Sequence, residues 1–499
     1  MYKNTYIHNA LVSENHFLRK PFTTQALPVY DEIKDKLPQP YWQGHEAVIA
    51  CYWKSWELAF SHLKRPTPDN GFVENYIDTA YNGNIFMWDS TFMTLFGLYG
   101  RRCFDFQKTL DNFYAKQHAD GFICREISAQ TGQDLFHRFD PVSTGPNIML
   151  MSEWQYYRQT GDVKRLESIY PVMVAYHQWL KHYRSWPNGL YFASGWATGM
   201  DNQPRLPADY HPNFSHGHMI WLDTNLQQVL SGRLLFAIGE VLERWQEIEP
   251  IIDETAYLSD YINDHLYSDK TGFYHDADRH GRLNEEVLSI GAYWGLLADV
   301  YPTDRKGRLY DYLKDEKTFN RPHRIPSLNA SHAKYQPLGR YWQGGVWAPT
   351  NYMVLKGLEQ NNEHKLAFDI ALNHLQNVTE VFIETGTLWE NYAPEAIIAA
   401  KPAKPDFVGW TGLASINNLF EFVFGLKPQA DQNKLIWHIQ LEGEDFGVKN
   451  YPFGSDNRID LHCDNRTGVP TLTITAEKPV DIEIHYQGGS YVRSADIAR

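Results

Sequence analysis

The sequence contains few cysteines, no long apolar run and no basic cluster. Among its 499 residues there are four cysteines, and they form neither a CxxC pair nor a Cys/His spacing that would bind a metal. Met1 begins a polar segment that lacks the apolar core of a signal peptide. We therefore expect a reduced intracellular protein and place it in the cytoplasm. The four positions are Cys51, Cys103, Cys124 and Cys463.

Charge and hydropathy exclude several classes of partner. No stretch approaches the roughly 18 consecutive apolar residues of a membrane span, so we expect a soluble protein. The formal net charge of -14 is not offset by any basic block, which argues against nucleic acid or an anionic membrane surface as the partner. A neutral small ligand fits this charge better, and the oligomeric state stays open.

Sequence motifs of the common nucleotide, ester and metal enzymes are missing. The chain has no P-loop, no GxGxxG between a strand and a helix, no GxSxG and no HExxH. His211, His216 and His218 lie close together, but their spacing does not place three ligands on one face. We therefore expect neither a bound metal nor a cofactor.

Aromatic residues are abundant. They make up 15% of the sequence and include 16 Trp and 31 Tyr. Trp and Tyr combine a flat apolar face with a polar edge, which suits contact with sugar rings. Many of them must also belong to the hydrophobic core, so the composition is compatible with a carbohydrate ligand and does not prove one.

Two kinds of helical segment alternate along residues 45–427. Six are amphipathic and charged, which is typical of outer helices with one wet face: 45–63, 104–117, 163–183, 246–267, 304–315 and 363–383. Six are apolar nearly all round, which is typical of buried helices: 88–100, 146–159, 222–240, 286–300, 347–360 and 410–424. The strict alternation of six pairs, at a period of roughly 60 residues, predicts an (α/α)6 barrel.

The two ends of the chain differ from this barrel. Residues 1–44 are polar, irregular and rich in proline, so we expect an arm laid over the barrel. Residues 428–499 contain alternating, β-branched segments separated by Gly, Asn, Asp and Pro, which predicts a small β-rich domain. The predicted strands are 435–441, 459–463, 471–476 and 480–486.

Two connections, 184–221 and 316–346, are longer than the roughly 2 to 8 residues that usually join helices. The first carries Asp201 among glycines and a proline, which favour a loop. A later loop carries Glu390 between Trp389 and Tyr392. The loops that enter the inner helices of a barrel emerge on one face, so we expect their residues to converge on one funnel. These residues are Trp88, Asp89, Asp201, Trp342, Gln343, Glu390 and Trp410.

Two carboxylates across a sugar-sized pocket are the chemistry of glycoside hydrolysis. One acid protonates the leaving oxygen, and the other activates water or attacks the sugar. The acid needs a raised pKa, which burial beside a tryptophan such as Trp196 or Trp389 supplies. Alternatives stay open, because Asp201 can also form a turn or cap a helix, and Glu384 or Glu395 can replace the glutamate of the later loop.

Six stretches of the sequence carry a family resemblance. They are Tyr81–Asn84, Trp88–Ser90, Gly121–Ile127, Ser194–Arg205, Tyr341–Pro349 and Leu388–Tyr392. Together they resemble the trehalase-like (α/α)6 glycosidases, in particular glycoside hydrolase family 63 and its mannosylglycerate and glucosylglycerate hydrolases. The resemblance covers about residues 75–425. Its motifs are specific in combination.

The resemblance implies an inverting, exo-acting α-glycosidase, with an α-glucosidase as the main interpretation. It implies that Asp201 is the general acid and Glu390 the general base. It also implies a sugar site, to which we assign Trp88, Asp89, Arg125, Trp196, Arg205, Gln343, Trp347 and Trp410. Two features depart from the family pattern: the loop from Gly195 to Asp201 is longer, and Cys124 stands where proline is usual.

Three other functions are kept as alternatives. The first is a mannosylglycerate or glucosylglycerate type of hydrolase. The second is another sugar-active enzyme on the same barrel, such as a lyase or a phosphorylase. The third is a noncatalytic carbohydrate-binding barrel, which the presence of both Asp201 and Glu390 makes the weaker choice.

Overall fold

The computed structural model describes residues 8–497, and helices dominate it up to residue 425. Six helical segments form a closed ring in which each packs on the next and the last packs on the first. We call them the inner helices: Met87–Gly97, Met149–Thr160, Leu222–Val241, Trp294–Leu297, Ala348–Gln360 and Leu413–Val423. Every residue of the first and of the last is buried, which confirms the prediction of helices that are apolar on nearly all faces.

Outer helices pack against this ring, and most of them are amphipathic. Glu249–His265 shows the pattern, since it buries Ile251, Leu258 and Ile262 on one face and exposes acidic residues on the other. The outer helices are Glu46–Ser61, Asp111–Tyr114, Val163–Tyr183, Glu249–His265, Thr303–Lys314 and His364–Thr385.

The second predicted outer helix, 104–117, is wrong in length and in exposure. The chain forms only a 3-10 turn, Phe106–Thr109, and one short helix, Asp111–Tyr114, whose residues are all buried. The N-terminal segment covers this face: the Asn15 amide donates to the Tyr114 carbonyl at 2.9 Å, and Lys20 pairs with Asp111 at 2.8 Å. The N-terminal segment therefore covers the face of Asp111–Tyr114 that we expected to be exposed to solvent.

The fourth predicted inner helix, 286–300, is also shorter than expected. It consists of the 3-10 turn Ile290–Tyr293 followed by the single α-turn Trp294–Leu297. The sixth inner helix, Leu413–Val423, is wound as a π-helix. The other short helices and 3-10 turns are Ala10–Glu14, His16–Arg19, Tyr30–Ile33, Lys34–Lys36, Leu98–Gly100, Pro141–Ser143, Trp196–Thr198, Trp245–Ile248 and Ala430–Gln432.

The chain after residue 425 forms two sheets. The five-stranded sheet contains, in spatial order, Gln39–Trp42, Asp445–Phe453, Asn457–Asp464, Thr471–Ala476 and Asp496–Ile497. The four-stranded sheet contains Gly489–Ser494, Asp481–Tyr486, Lys434–His438 and Leu426–Gln429. Three two-stranded ribbons lie among the helices: Leu63–Lys64 with Tyr76–Ile77, Asn84–Phe86 with Glu126–Ser128, and Tyr267–Ser268 with Phe273–Tyr274.

One strand of the larger sheet comes from the N-terminal segment. Gln39–Trp42 pairs antiparallel with Asp445–Phe453, so the first and last parts of the chain share a sheet. Phe424, just after the last inner helix, contacts the rings of Trp42 and Phe446 at 6.0 and 5.0 Å between centroids. One continuous hydrophobic core therefore runs from the helices into the sheets.

Within residues 8–497, none of the helices has the length and apolarity that a membrane crossing requires.

Candidate active site

A cavity of about 450 Å³ opens at the N-terminal ends of the inner helices. Trp88 and Asp89 lie in the first turn of Met87–Gly97, and the other predicted funnel residues lie in loops that lead into later inner helices. The cavity is lined by Tyr81, Asn82, Asn84, Phe86, Trp88, Asp89, Arg125, Glu126, Leu135, Phe136, Gly145, Trp196, Gly199, Asp201, Tyr341, Trp342, Glu390 and Trp410. Both candidate catalytic carboxyl groups are therefore on one cavity.

A larger cavity, of about 810 Å³, lies between the helices and the sheets. It contains three imidazoles in contact, with His438 and His485 stacked at 4.2 Å and His364 at 4.4 Å from His438. Lys427 in its wall pairs with Glu359 at 2.8 Å. Neither predicted catalytic carboxylate lines it, so we identify the site by its chemistry and not by cavity size.

The loop that carries Asp201 needs two glycines. Gly199 has a φ of +75°, and a Cβ there would lie 3.1 Å from the Trp88 indole. A Cβ on Gly195 would lie 2.4 Å from the Asp201 carbonyl oxygen and 2.5 Å from that of Pro212. The loop therefore folds tightly over Trp88 because side chains are absent at these two positions.

Each polar residue after Asp201 ties the loop to a different neighbour. The Asn202 amide accepts from the Trp342 N–H at 2.8 Å and donates to the Arg340 carbonyl at 3.0 Å. The Gln203 amide donates to the Ser327 carbonyl at 2.6 Å and accepts from the Ser289 hydroxyl at 2.8 Å. We call residues 194–205 the acid loop. These bonds hold it against the segments that lead into the fourth and fifth inner helices.

Arg205 does not line the cavity, so the sugar contact predicted for it is not found. Its guanidinium is buried and binds Asp223 through two hydrogen bonds of 2.7 and 2.8 Å and Asp276 through two of 2.7 and 2.6 Å. It also lies 4.6 Å from the centre of the Trp221 ring. Four of its five N–H donors bind carboxylates, and the buried side chain does not reach the cavity, so Arg205 instead anchors the acid loop from below.

Glu390 is buried, with 3% of its surface exposed, and two donors hold its carboxylate. The Tyr341 hydroxyl donates to Oε1 at 2.9 Å, and the Lys404 backbone N–H donates to Oε2 at 3.2 Å. The Glu390 N–H donates in turn to the Lys404 carbonyl, and the Trp410 indole donates to the Glu390 carbonyl at 2.7 Å. The side chain is thus fixed at both ends.

The two glutamates that compete with Glu390 in sequence do not reach the cavity. Glu395 forms a bidentate pair with Arg321 at 2.6 and 2.7 Å and accepts from Tyr335. Glu384 is exposed in the last turn of His364–Thr385. Trp389 is also outside the lining, since its indole donates to Thr385, so the burial of Glu390 comes from other residues.

Gln343 and Trp347, two more predicted sugar contacts, lie behind the cavity wall. Trp347 is fully buried and stacks on Trp342 at 4.0 Å with the rings nearly parallel. The Gln343 amide donates to the Asn202 carbonyl at 3.4 Å. Trp342 faces the cavity in their place, and Trp347 supports it from the core.

Arg125 lies beside the acid loop between two aromatic rings. Its guanidinium carbon is 5.1 Å from the Phe136 ring centre and 5.6 Å from that of Trp196, and one N–H donates to the Trp196 carbonyl at 3.0 Å. Its Nε is buried without a hydrogen-bond partner among the described residues. Arg125 therefore brings a positive charge to the site.

Glu126 and Asp89 add two more carboxyl groups to the cavity. Glu126 accepts from the Asn84 and Asn82 amides at 2.7 and 3.1 Å. Asp89, which is 7% exposed, has a pKa well above its usual value because burial disfavours the charge and Glu390 adds repulsion. The cavity holds four carboxyl groups beside the one guanidinium of Arg125.

Burial raises the pKa of both candidate catalytic carboxyl groups, but different interactions act to lower it. Burial raises the pKa of Asp201 to about 6, with the charge of Arg125 acting in the other direction. Burial also raises the pKa of Glu390, but hydrogen bonds from Tyr341 and from the Lys404 backbone act to lower it. Donors directed at the carboxylate thus stabilise an ionised Glu390, whereas at Asp201 the effect of burial outweighs the opposing charge of Arg125.

Several lining residues were not among the predicted site residues. Tyr341 and Glu126 stand inside the motifs that carried the resemblance, so the sequence contained a signal for both. Phe86 faces Glu126 across the two-stranded ribbon, which brings it to the cavity. Leu135 and Phe136 follow no motif, and only the folding of the 129–145 loop beside Arg125 places them here.

The histidines of the 206–219 loop pack on aromatic rings. The rings of His216 and His218 lie 4.8 Å apart, and both contact Trp186. Across residues 8–497 there is no group of three His, Cys, Asp or Glu side chains arranged to hold a metal ion.

Comparison with known proteins relates this geometry to glycosidases. The sequence profile of the mannosylglycerate hydrolase MGH1-like glycoside hydrolase domain matches residues 53–396. The chain is 24% identical over 304 residues to a probable mannosyl-oligosaccharide glucosidase of Schizosaccharomyces pombe. The aligned region covers 58% of this chain and 34% of that protein. The chain thus spans about a third of the length of that yeast relative.

Two further similarities concern proteins of Thermus thermophilus. The chain is 23% identical over 344 residues to a mannosylglycerate hydrolase of this bacterium, covering 54% of this chain and 80% of the relative. The crystal structure of a GH63 mannosylglycerate hydrolase from another strain of the same species, in complex with glucose, aligns with a TM-score of 0.58 at 20% identity, over 73% of this chain and 99% of that one.

Proposed function

Because this chain belongs to the family of mannosylglycerate hydrolase MGH1-like glycoside hydrolases, it is a glycoside hydrolase, and we propose that it is an inverting, exo-acting α-glucosidase acting on a small α-linked glucoside. One observation carries the proposal: Asp201 and Glu390 line the same cavity, where burial raises the pKa of Asp201 to about 6 while two hydrogen bonds stabilise the ionised form of Glu390. A protonated acid and an ionised base are what general acid-base hydrolysis requires.

In the proposed reaction Asp201 gives its proton to the glycosidic oxygen as the bond from that oxygen to the anomeric carbon breaks. Glu390 takes a proton from a water molecule, whose oxygen bonds to the anomeric carbon from the opposite face. The products are a β-configured sugar and the free alcohol of the leaving group. Asp201 ends as a carboxylate and Glu390 as a carboxylic acid, and exchange with solvent restores both.

Sugar recognition is assigned to the side chains around the two carboxyl groups. We propose that Asp89 accepts hydrogen bonds from sugar hydroxyls and that the Arg125 guanidinium donates hydrogen bonds to them. Trp88, Trp196 and Trp410 supply flat apolar faces for the ring. Trp342 joins this set in place of the buried Trp347.

We propose that the twelve helices form an (α/α)6 barrel. The support is the closed ring of inner helices and the outer helix that follows or precedes each of them. We retain the proposed division into an N-terminal arm, residues 1–44, a catalytic barrel, 45–427, and a β-rich domain, 428–499. Residues 1–7 lie outside the described part of the chain, and the strand Gln39–Trp42 joins the arm to the sheet.

A glycosylglycerate is the second candidate substrate. The matching family is named after a mannosylglycerate hydrolase, and Arg125 is a guanidinium beside the acid loop, which is the group that would bind a glycerate carboxylate. The four carboxyl groups that share the cavity with Arg125 favour the neutral leaving group of the main proposal. No specific feature of the cavity favours a lyase, a phosphorylase or a noncatalytic role.

A substrate panel and the anomer of the product test the proposal together. The protein is incubated with α-linked glucose disaccharides, the matching mannosides, glucosylglycerate and mannosylglycerate, with and without phosphate. We expect phosphate-independent release of glucose, first seen by proton NMR as the β-anomer before mutarotation. Initial release of the α-anomer would exclude inversion, and a requirement for phosphate would favour a phosphorylase.

The inverting mechanism also predicts the distance between the two catalytic carboxyl groups. An inverting pair leaves room for a water molecule, so we expect the two carboxyl groups of Asp201 and Glu390 to lie roughly 6.5–9.5 Å apart in a substrate complex, against about 5–5.5 Å for a retaining pair. A crystal structure with a bound substrate analogue measures this separation.

We also propose a cytoplasmic location and a small neutral sugar as the partner, in preference to nucleic acid or membrane. The support is that all four cysteines are free, three of them buried, and that the net charge is -14. Fractionation of the source cells tests the location.

A further inference from the structure

The turn that presents Tyr341 to the base has an unfavourable backbone conformation. Arg340 has a φ of +38° and Tyr341 a φ of +68°, so two successive residues with side chains adopt the left-handed region. Such residues cost free energy, and the conformation persists only where neighbouring groups hold it.

The side chain of Asn202 holds both ends of this turn. Its Nδ2 donates to the Arg340 carbonyl at 3.0 Å, and its Oδ1 accepts from the Trp342 N–H at 2.8 Å. The two bonds flank Tyr341 on the chain. Asn202 is also the residue next to Asp201, so one amide contacts the base-side turn from the acid loop.

Tyr341 uses this conformation to reach Glu390. Its hydroxyl donates to Glu390 Oε1 at 2.9 Å, and its ring packs edge-on against Trp347 at 4.8 Å. A relaxed turn would move the ring off Trp347 and take the hydroxyl away from the carboxylate. Contact with Glu390 therefore depends on the turn that Asn202 holds.

We propose that Asn202 is a positioning residue that couples the general acid loop to the general base, because it holds the strained Arg340–Tyr341 turn and so keeps the Tyr341 hydroxyl on Glu390. This inference rests on the acid and base roles given to Asp201 and Glu390 in the proposed function. Asn202 touches neither carboxylate and acts through Tyr341.

The chemical consequence is a lower pKa of the base. The Tyr341 hydrogen bond opposes the rise that burial causes, so it keeps Glu390 ionised at lower pH. The other charged and titratable groups facing Glu390 are Lys404, which also lowers its pKa, Asp201 and Asp89, which repel its charge, and Tyr81. Loss of Asn202 removes only the Tyr341 contribution from this set.

The test is the pH dependence of kcat/KM for the full-length protein. In Asn202→Ala the acid limb of the profile should move up by about one pH unit, by the same amount as in Tyr341→Phe. The double variant should show no further movement, since both changes remove one hydrogen bond. Additive movement in the double variant would overturn the coupling, as would an unchanged acid limb in Asn202→Ala.

Gln203→Ala is the matched control. Gln203 ties the same loop to Ser289 and Ser327 through two hydrogen bonds but has no side-chain contact with the Arg340–Tyr341 turn. A general loosening of the loop would affect both variants alike. We expect the rate to fall in Gln203→Ala without movement of the acid limb, and equal movement in both would overturn the proposal.

A second variant tests the turn itself. Arg340 is exposed, and glycine adopts a positive φ without penalty, so Arg340→Gly should restore part of the wild-type acid limb in the Asn202→Ala background. Absence of any restoration contradicts the role assigned to backbone strain. If Asn202→Ala does not fold, Asn202→Ser, whose hydroxyl is too short to bridge both ends of the turn, takes its place in every comparison.

Failure of this inference can be told apart from failure of the proposed function. Near wild-type activity in Glu390→Gln would show that Glu390 is not the general base and would overturn the proposed function. An inactive Glu390→Gln together with an unmoved acid limb in Asn202→Ala would leave the base in place and overturn only the coupling.

Discussion

Asp201 and Glu390 are both buried carboxyl groups, yet their neighbours act differently on the ionised form. Glu390 accepts from Tyr341 and from the Lys404 backbone, and both bonds favour the carboxylate. Asp201 has burial as the dominant influence, with the charge of Arg125 in opposition. Local hydrogen bonding, and not residue type, therefore distinguishes the proposed acid from the proposed base.

Isosteric substitution of the two carboxyl groups tests their roles directly. Asp201→Asn and Glu390→Gln should each reduce kcat by about a thousandfold or more, because general acid-base catalysis contributes roughly 10²–10⁴. Circular dichroism checks that the variants fold. Glu395→Gln is the control, since Glu395 is held by Arg321 outside the cavity and its loss should leave most of the activity.

The raised pKa of Asp201 predicts a stability that depends on pH. The folded protein binds this proton more tightly than the unfolded chain, with a pKa of about 6 against the usual 3.8, so burial of the carboxylate destabilises the fold as pH rises through about 6. Asp201→Asn removes that cost and should be more stable than the wild type by up to about 3 kcal/mol at pH 8.

Thermal melts at two pH values measure the effect. The higher melting temperature of Asp201→Asn at pH 8 should largely vanish at about pH 3, below the usual pKa of 3.8, where the wild-type residue is protonated in both the folded and the unfolded state. A difference that is the same at both pH values would show that the pKa of Asp201 is not raised. In activity assays the alkaline limb of kcat/KM should fall near pH 6 for the free enzyme.

At the scale of elements, the position of the acid loop is fixed because its polar residues bind three different parts of the chain. Asn202 binds the turn before Trp342, Gln203 binds Ser289 and Ser327, and Arg205 binds two aspartates beneath the loop. A loop with glycines at positions 195 and 199 has little conformational preference of its own. Its shape in the folded protein therefore comes from these tertiary hydrogen bonds.

Replacement of Arg205 should be strongly destabilising. Arg205→Met leaves Asp223 and Asp276 buried without a counter-charge, which typically costs about 3–5 kcal/mol, and should lower the melting temperature while displacing Asp201. Arg282→Met is the matched control, because that arginine pairs with Asp278 on the surface and should change stability by less than about 0.5 kcal/mol. Equal effects of both changes would contradict the anchor role.

At the scale of the whole molecule, the helices and the sheets share one core. Phe424 at the end of the last inner helix packs on Phe446 and on Trp42, and Trp42 lies in a strand from the N-terminal segment. The β-rich part is therefore part of the folding unit, although it contributes no residue to the active-site cavity.

Deletion of residues 426–499 should abolish soluble expression. It exposes the aromatic contact around Phe424 and leaves the strand Gln39–Trp42 unpaired, and both changes favour aggregation. Deletion of 489–499, whose described residues 489–497 are mostly exposed, is the control and should remain folded by circular dichroism. A soluble, active protein without residues 426–499 would show that the helical part folds independently.

Local composition and period were enough to predict six alternating pairs of helical segments and their order along the chain. Continuous apolar segments such as Leu413–Val423 can only be buried, and amphipathic segments such as Glu249–His265 must cover them. The two loops with candidate carboxylates were visible for a similar reason, since glycine, proline and tryptophan around a lone acid are unfavourable within a helix. These properties depend on local composition and period.

Which side chains face the cavity could be seen only in the folded protein. Arg205 and Trp347 share motifs with residues of the cavity wall, but the aspartates under Arg205 and the stacked ring of Trp342 withdraw both from it. The same holds for the buried segment Asp111–Tyr114, which the N-terminal segment covers. Contacts between residues far apart in the chain set the direction of a side chain, and no local pattern of sequence records them.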